Sequence, residues 1–169
     1  MVANRPTCAD ICWQKLLVDW VKANSDGTVC GSDSLAIAGG VIRDDQGGWI
    51  YGCARHIGRC YVLMAELWAT HDILLAAWNL GFRRIQFETD NLEVAQILQG
   101  RSDALIGCSL VDTIRLLLTR SWSVNICHIS RMQNMVVDRV VALCRDSLSS
   151  SMVFDSVPAA LVRKEVVSF

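Results

Sequence analysis

The hydrophobic period of this chain changes at Val62, and that change limits what it can fold into. Before it, apolar residues alternate with polar ones or run in short segments, from Val18 to about Asp26, Leu35 to Arg43 and Trp49 to about Ile57. Such runs read as β-strands. Between the last two lies Asp44-Asp45-Gln46-Gly47-Gly48, whose Asp and Gly residues favour a tight reversal, so these strands form an antiparallel hairpin. From Val62 to Leu80 the spacing becomes three and four, with Leu63, Leu67, Leu74 and Trp78 beside Met64, Trp68, His71 and Leu75. That is a long helix, ended by Gly81.

Beyond it, helical and strand patterns alternate. Arg84 to Thr89 reads as a strand, and about Asn91 to Leu98 as a helix stopped by Gly100. Leu105 to Thr119 reads as a further helix, with Ile106, Leu110, Ile114, Leu117 and Leu118 spaced for burial. Trp122 to Ile129 alternates as a strand, and Asn134 to Leu148 forms a last helix that offers Val137, Val140, Val141 and Cys144 to a core. Three antiparallel strands followed by helical crossovers give an α/β fold, a mixed sheet with helices packed on its faces. At 169 residues the chain suits one domain, expected over 18–148, with an extension over 1–17, a linker from Ser147 to Ser151 and a tail over 149–169.

With 52% apolar residues, 20% charged, two prolines and a net charge of −1, the chain is globular rather than disordered or polybasic. Its mean hydropathy of +0.32 raises a membrane question. The central charge-free apolar stretch, Ile73 to Phe82, falls well short of the ~20 residues a span needs. Arg5, Asp10, Lys15 and Asp19 interrupt any secretory signal. The expectation is an intracellular protein, nuclear or cytoplasmic, with no membrane partner. Its eight cysteines include no Cys-x-x-Cys pair, so reduced and mostly buried thiols are expected; Cys8 and Cys12 have no role assigned.

Four acidic residues fall where such a fold can gather them: Asp26 at the end of the first strand, Glu66 early in the long helix, Asp90 just beyond the fourth strand and Asp138 in the last helix. Crowded carboxylates resist ionising together, so the cluster makes physical sense mainly around divalent cations. Oxygen-only ligands favour magnesium or manganese.

These residues stand within Asn24-Ser25-Asp26-Gly27, Ala38-Gly39-Gly40-Val41-Ile42-Arg43-Asp44, Ala65-Glu66-Leu67-Trp68-Ala69, Glu88-Thr89-Asp90-Asn91 and His128-Ile129-Ser130-Arg131-x-x-Asn134-x-x-x-Asp138. In order and spacing the set resembles a type-1 ribonuclease H domain, and most of all the ribonuclease H-like domains of plant retroelement origin associated with reverse transcriptases. The resemblance covers about Trp20 to Leu148. It implies a five-stranded mixed sheet of order 3-2-1-4-5 with helices on both faces, and hydrolysis of the RNA strand of an RNA/DNA hybrid by two Mg2+ ions, for which Mn2+ can substitute. It also implies that Asp26 bridges both ions, that Glu66 and Asp90 hold the ion nearer the leaving oxygen, and that Asp138 holds the ion activating water. His128, ten residues before Asp138, matches a mobile histidine that assists proton transfer and product release. Gly27, Asn91 and Asn134 match positions that contact nucleic acid, although Asn91 can also cap the helix after it.

Glu88 precedes Asp90 by two and would share its face in a strict strand, but the family resemblance assigns the metal to the second carboxylate; Asp44, Asp45, Asp72, Glu93, Asp112 and Asp146 read as solvated faces, turns or caps. His56 and His71 carry no assignment, and Trp68 and Trp78 read as core. Arg43, Arg55, Arg59, Arg83, Arg84, Arg131 and Arg139 are candidate phosphate contacts. Some bacterial type-1 members carry a basic protrusion, whereas Gly100 to Ala104 holds only Arg101, which implies weak substrate affinity or help from another domain such as a reverse transcriptase. Val137 stands where the family has a small residue and is expected to shift the last helix slightly, and Asp138 with it. An inactive, domesticated ribonuclease H-like module binding nucleic acid or protein is the alternative function; a 3′-to-5′ exonuclease fits less well, because its motif layout differs.

Overall fold

In the computed structural model, which describes residues 16–165, the first three strands are β1 (Val21–Cys30), β2 (Leu35–Arg43) and β3 (Trp49–Arg59). The helix α1 (Val62–Asn79) leads to β4 (Arg84–Thr89), then α2 (Leu92–Leu98), α3 (Ser109–Leu118) and β5 (Ser123–His128). A 3-10 turn over Arg131–Asn134 runs into α4 (Met135–Arg145), followed by β6 (Ser151–Phe154) and α5 (Ala159–Glu165). The sheet has six strands in the order β5-β4-β1-β2-β3-β6. β1 is antiparallel to β2 and parallel to β4, which is parallel to β5. The expected order of five strands is present, read from either edge, with one strand added.

That addition corrects the expected linker and tail. β6 lies antiparallel on the outer edge of β3, pairing Gly52 with Phe154 and Arg55 with Ser151. The indole of Trp49 donates to the Phe154 carbonyl at 3.0 Å. Leu161 of α5 is only 4% exposed within a core of Ile37, Val41, Ala54, Val137, Val140, Val141 and Cys144. Four alternating residues among serines carry too little pattern to announce a strand; a waiting sheet edge supplies the missing order.

Two cores sandwich the sheet. On one face Ala23, Ile42, Ile85 and Phe87 meet Leu67, Ile73 and Leu74 of α1 and Val111 and Ile114 of α3. On the other, β2 and β3 pack against α4. Adjacent glycines at the middle of β2 let both helices come close. A Cβ on Gly40 would lie 2.6 Å from the Ile73 Cβ of α1, and one on Gly39 2.5 Å from a Val141 methyl of α4.

Several element ends differ from the sequence expectation for local reasons. β1 begins at Val21, after Asp19 in a left-handed turn (φ 69°), and Leu17 and Val18 are exposed; pairing with Leu35 then carries it on to Cys30. α3 starts only at Ser109, because Leu105 and Gly107 take positive φ, and Ile106 is 75% exposed rather than buried. The last helix starts as the 3-10 turn, where Ser130 and Gln133 form a capping box, and it stops at Arg145, leaving Leu148 outside and exposed. The described cysteines are free, as expected, but only Cys144 is buried; Cys30, Cys53, Cys60, Cys108 and Cys127 are half-buried. Cys8, Cys12 and most of the 1–17 extension lie outside the described residues. No helix among the described residues is long and apolar enough to cross a membrane.

If α5 is part of the fold, Leu161→Ala costs about 2–5 kcal/mol, the range for truncating a buried leucine. Urea unfolding followed by fluorescence measures it; an unchanged midpoint would show that the second core closes without the C-terminal helix.

Candidate metal-binding active site

The site forms at the carboxyl end of the parallel pair β1 and β4, where ligands collect in open α/β sheets. Asp26 comes from β1, Asp90 follows the last residue of β4 and Glu66 comes from the second turn of α1. One carboxylate oxygen from each lies within 4.8 Å of the other two. Glu66 is 5% exposed, whereas Asp26 and Asp90 are half-buried.

Gly27 makes this approach possible. A Cβ there would collide with the backbone of Ala65 and Glu66, so only glycine lets α1 lie directly against β1. The Gly27 N–H then donates to Glu66 Oε2 at 3.1 Å. The residue expected to touch nucleic acid thus spends its backbone donor on a carboxylate of the site.

The electrostatics follow from the crowding. Burial, and then the charges of Asp90 and Asp138, push Asp26 up to about 7, against the Arg131 charge, which lowers it. Burial, then the charges of Asp26 and Asp90, push Glu66 up to about 9, against the Gly27 N–H and Arg131. The donor set is hard, oxygen-only and short of positive charge, and it fits a divalent cation. Asp138 is exposed in the first turn of α4 and stands outside the compact trio, although its charge reaches Asp26.

His128 ends β5 at the exposed rim, its Nε2 3.2 Å from the Asp90 carbonyl oxygen, a bond it makes when that nitrogen carries the proton. Asn91 caps α2, its side chain accepting from the Val94 N–H at 3.0 Å. Asn134 is 1% exposed and faces inward: it accepts from Asn24 at 3.1 Å and donates to the Ser25 carbonyl at 2.9 Å.

Sequence reasoning missed what lies beneath. Lys22 and Glu88, 4% and 5% exposed, form an ion pair at 3.0 Å. Asn24 donates to the same Glu88 at 3.0 Å. Glu88 is therefore a buried acid paired with Lys22. The available signal was position: a lysine within a strand covered on both faces needs a buried counter-charge. Asp72, expected on a solvated face, turn or cap, is instead held by Arg55 through two bonds at 2.6 and 3.2 Å, with His71 approaching at 3.1 Å. Among the expected phosphate contacts, Arg43 binds Asn24 and Arg83 lies 3.7 Å over the Trp78 ring. Trp68 and Trp78 are half-buried and pack against the first core.

A family model described as reverse transcriptase-like matches residues 24–144. The chain belongs to this ribonuclease H-like family. An Arabidopsis thaliana protein with a provisional ribonuclease H name is 36% identical over 150 residues, which cover 88% of this chain and 24% of that protein. The chain thus spans about a quarter of the length of that curated relative. Ribonuclease H1 of Halobacterium salinarum superposes with a TM-score of 0.67 at 29% identity, over 75% of this chain and 98% of the other. An LC11 ribonuclease H1 solved in complex with RNA/DNA hybrid gives 0.69 at 20% identity, over 75% and 96%, a likeness of fold. Residues 145–165 of this family member, which carry β6 and α5, fall outside the stretch matched by the family model.

The raised carboxyls make stability depend on pH in a definite sense. Without metal, folded Asp26 and Glu66 hold protons that the unfolded chain has already released above about pH 4. Their contribution is complete below that point and is lost as pH rises through about 7 and then about 9. In EDTA, Tm should fall by several degrees from pH 5 to 9 in scanning fluorimetry, and Asp26→Asn should flatten the fall. A pH-independent Tm, equal in both proteins, contradicts the crowding. Gly27→Ala should weaken Mn2+ binding at least tenfold by calorimetry, as displacement of a ligand-bearing helix does; wild-type affinity would show that α1 can retreat without moving Glu66.

Proposed function

We propose that this chain is a divalent-metal-dependent endonuclease that hydrolyses the RNA strand of RNA/DNA hybrids, leaving 5′-phosphate and 3′-hydroxyl ends. The observation that carries the reading is the convergence of Asp26, Glu66 and Asp90 from three separate elements within 4.8 Å, at a cost in repulsion that a protein without a cation has no reason to bear. Family membership and the likeness to ribonuclease H1 structures support it.

In this reading Asp26, Glu66 and Asp90 hold one Mg2+, and Asp26 with Asp138 holds a second; Mn2+ can substitute. When bound, the pair supplies a more acidic attacking water and stabilises charge on the leaving 3′ oxygen. The protein's own part is positioning. Glu66 is fixed by the Gly27 N–H and Asp90 sits at the rigid end of β4, so ligand geometry is set before substrate arrives. His128, exposed beside Asp90, is free to exchange protons with solvent and with the leaving group. The short Gly100 to Ala104 segment offers one base, Arg101, and a net charge of −1 supplies little phosphate affinity. Binding of the hybrid therefore draws on a neighbouring domain, of which a reverse transcriptase is the foremost candidate given the family.

The test is cleavage of a labelled RNA/DNA hybrid with Mg2+ or Mn2+, beside duplex RNA and duplex DNA, by wild type and Asp26→Asn. The expected result is metal-dependent cutting of the hybrid's RNA alone, abolished in the variant. Folded wild type that binds hybrid but leaves it intact would sink the enzyme reading and favour an inactive binding module.

A further inference from the structure

Asn24 is 2% exposed, and its amide is engaged on three sides. Its Nδ2 donates to Glu88 Oε2 at 3.0 Å and to Asn134 Oδ1 at 3.1 Å, while its Oδ1 accepts from Arg43 Nη2 at 3.2 Å. A carboxylate on one side and a guanidinium on the other fix which way the amide faces. Asn134 returns to β1 by donating to the Ser25 carbonyl at 2.9 Å. Glu88 is held further by Lys22 at 3.0 Å and by the Gln86 amide at 2.7 Å.

The three linked residues stand in register with three of the acids. In a strand, residues two apart share a face, so Asn24 underlies Asp26, and Glu88 precedes Asp90 by the same step. Asn24 and Glu88 are also direct partners in the parallel ladder. Asn134 ends the 3-10 turn as the N-cap of α4 and precedes Asp138, in that helix's first turn, by four residues. One hydrogen-bonded layer thus ties β1, β4 and the start of α4 together a single structural repeat below the carboxylates that those same elements carry.

We infer that Asn24 is the hub of a buried amide clamp, with Asn134 and Glu88 as its arms, that sets the spacing of Asp26, Asp90 and Asp138 and thereby the metal affinity of the site. Asn24 and Asn134 are positioning residues, and Asn134 acts from inside the protein instead of on nucleic acid. The inference rests on the metal-dependent reading of the site. Its physical basis is that ligands on separate elements keep their spacing only if those elements are locked, and that neutral amides lock them without adding charge to a crowded acidic cluster.

The test compares wild type, Asn24→Ala, Asn134→Ala and the double variant by calorimetric Mn2+ titration, by melting in EDTA, and by hybrid cleavage resolved into kcat and KM. Each single variant should weaken Mn2+ binding about 10- to 100-fold, the usual effect of removing a group that orients a ligand. The double variant should lose less than the sum of the two single losses, because both changes break the Asn24–Asn134 bond. In cleavage, kcat should fall while KM for hybrid stays. A lowered Tm with wild-type Mn2+ affinity and kcat would reduce the layer to packing, and a raised KM at unchanged kcat would return Asn134 to the nucleic-acid surface. Asn134→Ala leaves the Lys22–Glu88 pair intact, so it carries the test if Asn24→Ala does not fold; failure of both to melt cooperatively would overturn the inference in favour of a folding role. A wild type that takes up Mn2+ but cuts no hybrid refutes the nuclease reading alone, and the Mn2+ comparison still decides this one. A wild type that takes up no Mn2+ overturns both.

Discussion

Three carboxylate oxygens within 4.8 Å of one another, partly out of water, repel strongly, and the fold around them absorbs that repulsion. It does so by contact geometry more than by countercharge. Gly27 brings α1 against β1 and gives its N–H to Glu66, while Arg131 is the positive charge that reaches both Asp26 and Glu66. Burial and the neighbouring carboxylates raise Asp26 to about 7 and Glu66 to about 9, so the metal-free site relieves its repulsion by taking up protons as pH falls through those values.

The layer beneath obeys the opposite rule. Lys22 and Glu88 are almost fully buried, yet they neutralise each other at 3.0 Å, and Gln86 and Asn24 both donate to Glu88. Breaking such a pair is costly, because one uncompensated charge remains, so the layer behaves as a rigid unit. An unsatisfied acidic cluster stands on a satisfied polar floor. The first is available for ligand chemistry because the second is not.

Elements with a strong internal pattern were legible in the sequence. β2, α1 and β4 lie close to where periodicity puts them, and Asp26, Glu66 and Asp90 could be picked out as acids that such a fold gathers, although Asp26 lies within β1 and not at its end, because β1 runs on to Cys30. Two kinds of feature escaped. Some elements borrow their order from neighbours, as β6 does from the edge of β3. Others depend on burial, which sequence does not print. The buried side of α1 rests on Ala65, Ala69, Ile73 and Ala77 as much as on the leucines that its spacing emphasised, because Gly27 and Gly40 let the helix approach the sheet closely at Ala65 and Ile73. Asp72 looked like an ordinary surface acid, and the ion pair of Glu88 stayed hidden, for the same reason: their partners, Arg55 and Lys22, are 17 and 66 positions away by the numbering.

By itself the sequence determined the alternation of strands and helices, the identities of the acids and the glycine at position 27, since each depends on residue type and local spacing. Only the tertiary structure decided which carboxylates meet, that Asp138 stays outside the compact group, that Asn134 points inward, and that the tail supplies a sixth strand. These are long-range facts, fixed by the packing of α1 and α4 on opposite faces of one sheet, and a local period of two or of three to four carries no information about them.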